Sequence, residues 1–204
     1  MKIPVFISLM FLLIAAPTVA QESPKITMQT FSVVTSFALP PWSSEDDLVE
    51  TSEISRQQGP SSAGHDIFIW ETIPKGESFE NWSKLYAISA EYPLNGDLEN
   101  YANVQASRFN DACERSVVQF SRTTPDNVKL FVVHCGSYKA RPEIGEIAII
   151  NMQLQDETLV KNYFHVRVPK FNLDNAAEFP LGADEILKMF LSVSALRLTG
   201  VSSD

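Results

Sequence analysis

The chain has 204 residues, 45% of them hydrophobic, and carries 25 Asp and Glu against 16 Lys and Arg, a formal charge of −9. That length fits one domain with enough apolar content for a real core, and the acidic balance argues against a nucleic-acid partner, whose phosphates call for a basic surface. The eight glycines form no Gly-x-Gly-x-x-Gly or Gly-Lys-Ser/Thr arrangement, so nucleotide binding has no support and no cofactor is expected.

Residues 1–20 read as a secretory signal peptide. Lys2 supplies the positive start, residues 3–16 an apolar run, and Thr18-Val19-Ala20 the small residues of a cleavage site. A membrane span is the rival reading, and the polar Gln21-Glu22-Ser23-Pro24 favours cleavage. The expected product is a periplasmic or extracellular protein of residues 21–204, a single α+β domain that does not insert into a membrane. Losing Lys2 takes its charge from −9 to −10. In an oxidising compartment the two cysteines, Cys113 and Cys135, read most simply as one disulfide stapling a helix to a strand, with free thiols or a metal pair as the alternatives. Loop closure in the unfolded chain makes such a bond worth roughly 3 kcal/mol.

Thr, Val, Phe and Ile over 26–39 predict one long strand, ended by Pro40-Pro41 with Trp42 at its exit. Residues 43–64 are polar and predict an exposed loop with a short helix near 46–54. Residues 66–73 predict a strand, closed by Pro74-Lys75-Gly76. A helical turn over 78–85, capped by Ser78, and a strand over 86–90 follow. Leu98, Tyr101, Ala102, Phe109, Ala112, Cys113 and Val117 recur at helical spacing. Residues 128–135 predict a buried strand, and 145–154 with 158–168 a β-hairpin turning at Gln155-Asp156-Glu157. A last helix is expected over 183–198. The sum predicts an α+β fold, an antiparallel sheet flanked by two main helices.

Motifs for chemistry are sparse. Gly76-Glu77-Ser78-Phe79-Glu80 lacks the last glycine of a nucleophile elbow, and Gly136-Ser137 is not closed by one. His134 and Cys135 point to opposite faces of their strand and cannot share a metal ion, and His65 stands at the end of the polar loop. Glu45-Asp46-Asp47 reads as a solvated acidic patch. One pattern stands out: Lys161, Tyr163, His165 and Arg167 alternate onto one strand face, while Val160, Phe164, Val166 and Val168 take the other, with Asn162 interrupting the apolar row. Such a stripe fits a receiving surface for an anionic ligand or an acidic partner edge, and equally the solvent face of a one-sided sheet.

The stretch Ile73-Pro74-Lys75-Gly76-Glu77-Ser78-Phe79-Glu80-Asn81-Trp82-Ser83-Lys84-Leu85 resembles a segment of uncharacterised secreted proteobacterial proteins, in which a strand, a Pro-x-Gly turn and an Asn-Trp pair precede another strand. Cys113, Cys135 and the hairpin over 145–168 resemble features of the same proteins, so the resemblance spans about 67–167. It implies no established activity, and its element order is similar to PsbP-like domains. Trp82 is suited either to cover the sheet or to add to a binding surface. The leading expectation is an exported, non-catalytic binding or accessory protein for an unknown protein or small ligand. The alternatives are an inhibitor or immunity-type protein for a basic partner, and an enzyme whose residues converge only in three dimensions.

Overall fold

The computed structural model describes residues 25–44, 46–61, 64–94 and 96–201. The expected leader at 1–20 and the residues to 24 lie outside the described residues, as does Glu45 of the expected acidic patch.

Two antiparallel sheets carry the fold. Lys25–Thr30 (β1), Val33–Ala38 (β2) and Arg197–Gly200 (β10) form a three-stranded sheet in the order β1-β2-β10. The larger sheet contains Ser52–Pro60 (β3), Asp66–Pro74 (β4), Lys84–Tyr92 (β5), Cys113–Phe120 (β6), Val128–Tyr138 (β7), Ile144–Gln155 (β8) and Thr158–Pro169 (β9). Its order is β3-β4-β5-β9-β8-β7-β6, so the long hairpin β8-β9 sits near the middle. Three helices accompany the sheets: the four-residue Leu48–Thr51 (α1), Leu98–Ala112 (α2) and Ala183–Ser194 (α3).

The expected sheet flanked by two main helices is therefore corrected. The protein is 51% strand and 19% helix, with a seven-stranded and a three-stranded sheet. The second sheet and α3 together cover one face of the large sheet, whereas α2 covers part of the other. Five local departures from the expected elements produce the difference. The single strand expected over 26–39 folds back as β1-β2, through a turn in which Phe31 takes a φ of 53°. Segment 43–64 holds α1 and an edge strand, β3, paired along its length with β4. The long helix stops at Ala112, because from Cys113 the backbone is extended and Val117 belongs to β6. Likewise α3 ends at Ser194, and Leu198 joins β10. The turn at 78–81 is closed by the Ser78↔Asn81 bridge and makes no helix.

The covered face holds the larger core. Phe37, Trp70, Tyr86, Ile88, Ile147, Ile149, Val160, Phe164, Met189 and Leu196 are buried there, and full burial of such side chains is worth about 1.5–3 kcal/mol each. Buried polar side chains sit within it: Thr72 Oγ1 donates to the Tyr86 carbonyl and Asn151 Nδ2 to the Val193 carbonyl, each at 3.0 Å. Asn162 Nδ2 donates to Tyr86 Oη at 3.0 Å, and Tyr86 Oη donates to the Ala38 carbonyl at 2.8 Å, tying β9, β5 and β2 together. Burial pushes the Tyr86 phenol far up, so it stays a neutral donor. The opposite face packs Ala102 and Ala106 of α2 onto Phe131, Val133, Ala148 and Ile150.

A disulfide joins Cys113 to Cys135. Cys113 is at once the C-cap of α2, its N–H bonded to the Phe109 carbonyl, and the first residue of β6. The bond thus pins the helix-to-strand junction to β7, beside the register shifts between Cys113 and Ser116. Nearby, a Cβ on Gly145 would come within 2.9 Å of the Cys135 and Gly136 carbonyl oxygens, so only glycine lets β8 lie this close. Among the described residues no helix is long and apolar enough to cross a membrane.

Candidate functional site

Strand β9 alternates as its sequence predicts. Val160, Phe164, Val166 and Val168 are buried with the larger core, and Lys161, Tyr163, His165 and Arg167 turn to the α2 side. On that side the register lines Tyr163 up with Ala87 and Ile150, His165 with Leu85 and Ala148, and Lys161 with Ser89 and Met152. Helix α2 crosses β6, β7 and β8 and leaves this row at its flank. Its start is fixed by Asp97, whose carboxylate accepts the Glu99 N–H at 2.9 Å.

Between helix and sheet lies a cleft of about 360 Å³, lined by Gln105, Arg108, Phe109 and Ala112 of α2 and by Tyr138, Ile150, Lys161, Tyr163 and His165 of the sheet. The volume is within the range of small-ligand sites, and the wall mixes aromatic surface with a few polar groups, as such sites do. The stripe is half-buried in this wall, so the solvent-face reading of it is set aside.

Lys161, Tyr163 and His165 each have a carboxylate behind them. Lys161 Nζ is 3.5 Å from Glu91 Oε1, which also accepts the Tyr101 hydroxyl. Tyr163 Oη donates to Glu71 Oε1 at 3.3 Å. His165 Nδ1 stands 2.8 Å from Glu146 Oε1, although the pair is not aligned as a hydrogen bond, and Glu146 is only 2% exposed. Burial sets the protonation of the surrounding phenols. Desolvation first, and then the adjoining carboxylate, pushes Tyr101, Tyr138 and Tyr163 above the usual phenol range, so all three are neutral donors at neutral pH. Desolvation pulls the Lys161 ammonium down from its ordinary range, and the Glu91 charge opposes it.

Arg167 and Trp82 do not reach the cleft wall. The Arg167 guanidinium stacks 3.7 Å over the Trp82 ring, and its Nη1 donates to the Glu80 carbonyl at 3.3 Å. Trp82 packs with the small cluster of Ile73, Leu85 and Ala87, and its ring meets His165 edge-on at 6.4 Å. The pair therefore buttresses His165 from the side away from Phe109, whose ring is 5.9 Å from the imidazole. Cys113 and Cys135 lie in the disulfide and outside the cleft.

Sequence reasoning missed the α2 wall, Arg108 and Gln105 above all, and the carboxylates Glu71, Glu91 and Glu146. The signal for Phe109 was present, since it belongs to the helical stripe. Nothing local relates Arg108 or Glu146 to Lys161. Among the described residues no three His, Cys, Asp or Glu side chains converge to hold a metal ion. Compared with known proteins, the chain matches no protein-family model and no curated protein.

Proposed function

We propose that this is an exported, non-catalytic binding protein that takes a small ligand in the cleft between α2 and the seven-stranded sheet. The observation that carries it is the gathering of Lys161, Tyr163 and His165 with Arg108 and Phe109 around one cavity of about 360 Å³. Export is supported by the leader at 1–20 and by the disulfide, which persists only where thiols are not kept reduced. A fragment screen on the purified protein, read by amide chemical shifts, tests the reading. Hits should cluster their shifts on residues 105–112, 138, 150 and 161–165, and hits that cluster elsewhere, or no hits, overturn it.

A second reading, an enzyme, is favoured by one observation. His165 Nδ1 has Glu146 Oε1 2.8 Å away, and its Nε2 has no hydrogen-bond partner among the described residues; turning that contact into a hydrogen bond would let the carboxylate orient the imidazole for general-base work. Turnover of activated esters that His165→Ala abolishes while the melting temperature holds would replace the binding reading with this one.

A further inference from the structure

Building on the binding reading above, we propose that the ligand of the α2 cleft is a small aromatic monocarboxylate. The charge census of the cavity carries the argument. Its three carboxylates stand behind the wall: Glu71 accepts from Tyr163, Glu91 accepts from Tyr101 and lies beside Lys161, and Glu146, only 2% exposed, has His165 Nδ1 at 2.8 Å without an aligned hydrogen bond. None of them lines the cavity itself, so no free negative charge awaits a cationic ligand. Of the two permanent cations in the lining, Lys161 is already matched by Glu91. Arg108 is different. Its Nη1 reaches only the neutral Gln105 Oε1, at 3.5 Å, and it has no ion-pair partner among the described residues.

One unmatched guanidinium in a partly enclosed wall selects one negative charge. Its planar fork binds a carboxylate through two parallel N–H···O bonds, and a phosphate monoester would bring a second charge for which the cavity holds no free cation. Arg108 is exposed at the cleft mouth, so a neutral ligand leaves it to solvent and gains nothing from it, whereas a carboxylate gains a charge-assisted pair.

The body of the ligand follows from the other walls. Phe109, Tyr163 and His165 form a continuous aromatic run, with ring centroids 5.9 Å apart for Phe109 and His165 and 5.3 Å for Tyr163 and His165. Ile150 and Ala112 complete it with aliphatic surface. A flat ring packs on such faces by offset or edge contacts. Glu71 and Glu91 hold the polar ends of Tyr163 and Lys161 back in the sheet, which keeps their apolar bodies toward the cavity.

Three probes sharing one bicyclic body test the assignment: naphthoate, naphthylmethanol and naphthylmethylammonium, titrated calorimetrically at low ionic strength. The proteins are the wild type, Arg108→Gln and Ala112→Phe. Both substituted residues are exposed on α2, so the variants should melt within a few degrees of the wild type. Naphthoate should bind one-to-one and at least about tenfold tighter than the other two, the scale of a charge-assisted bidentate bond. Arg108→Gln should erase that preference, and Ala112→Phe, which fills the cleft, should abolish binding of all three. If the alcohol or the ammonium binds as tightly as naphthoate and Ala112→Phe removes both, the ligand class is wrong and the cleft remains the site. If naphthoate binds and Ala112→Phe leaves it unchanged, both the class and the site fall. If none of the probes binds, the aromatic carboxylate is overturned, while the fragment screen decides the cleft on its own.

Discussion

The two faces of the seven-stranded sheet solve the same problem by different means. On one face the three-stranded sheet and α3 seal the surface, and the side chains are mostly aromatic and aliphatic, with Thr72, Asn151 and Asn162 each hydrogen-bonded inside. On the other, one helix covers three strands and stops short of β9, so Lys161, Tyr163 and His165 are held by buried or half-buried carboxylates around a cavity. Strand β9 takes part in both, and its neighbours Tyr163 and Phe164 belong to different economies. The lesson is that polarity on the second face reflects an incomplete cover. The groups there are paired well enough to be stable and left open enough to meet something else.

The sharpest way to break that contrast is to truncate the packed side. Phe164 is 3% exposed and meets Trp42 and Tyr86 at ring distances of 5.7 and 6.0 Å. Phe164→Ala should cost about 3–5 kcal/mol in urea denaturation, by lost transfer energy and a cavity that cannot collapse. Replacing both cysteines by serine should cost about 3 kcal/mol and leave a cooperative transition, since the larger core does not depend on the crosslink. Loss of all tertiary structure in that variant would show the α2 side to be more than an annex.

A polar test inside the packed face comes next. Asn162→Ala removes the donor to Tyr86 and should cost about 1–3 kcal/mol in the same assay. On the cleft face, Tyr163→Phe removes only the hydroxyl that Glu71 accepts, and a loss of about 1 kcal/mol or less is expected in the same assay. A Tyr163→Phe cost equal to that of Phe164→Ala would erase the distinction between the faces.

The smallest effect concerns pH. His134 lies on β7 against Phe179, with centroids 5.2 Å apart, and burial holds its pKa below the ordinary imidazole value of 6.5. The folded state therefore takes up a proton less readily than the unfolded chain. As pH falls below 6.5 toward the lowered value, the unfolded state binds more protons and stability declines. Melting temperatures measured from pH 7 down to 5 should show a shallower acid-side decline in His134→Phe than in the wild type.

Much of this arrangement was legible in the chain, and what escaped did so for definable reasons. The period-two alternation of 158–168 separated the two faces correctly because side-chain direction in a strand is local geometry. The hairpin turn was also marked, and Asp156 and Glu157 do take positive φ values of 48° and 60°. By contrast Thr30-Phe31-Ser32-Val33 carries no Gly, Pro, Asn or Asp, so the hairpin β1-β2 was hidden inside a β-prone run. The polar composition of β3 is that of an edge strand with one unpaired side, which reads as loop. Cys113, Val117 and Leu198 continue helical spacing past the true helix ends, and only strand pairing overrides them. The cleft needed Arg108 and His165 brought to one cavity, and Glu91 set beside Lys161, which no local pattern encodes. The stripe was visible, but its depth depended on where α2 came to rest.

The position of the disulfide gives that resting place a further meaning. Cys113 closes α2 and opens β6, while Cys135 sits on β7 two strands from the Lys161–Arg167 row. The crosslink therefore acts as a fixed stop on one wall of the cavity, setting its width where hydrogen bonds and packing alone would let the helix end drift. Ligand affinity and thiol oxidation are then linked quantities: whatever occupies the cleft should make the bond harder to reduce, by the same factor that reduction weakens its own hold.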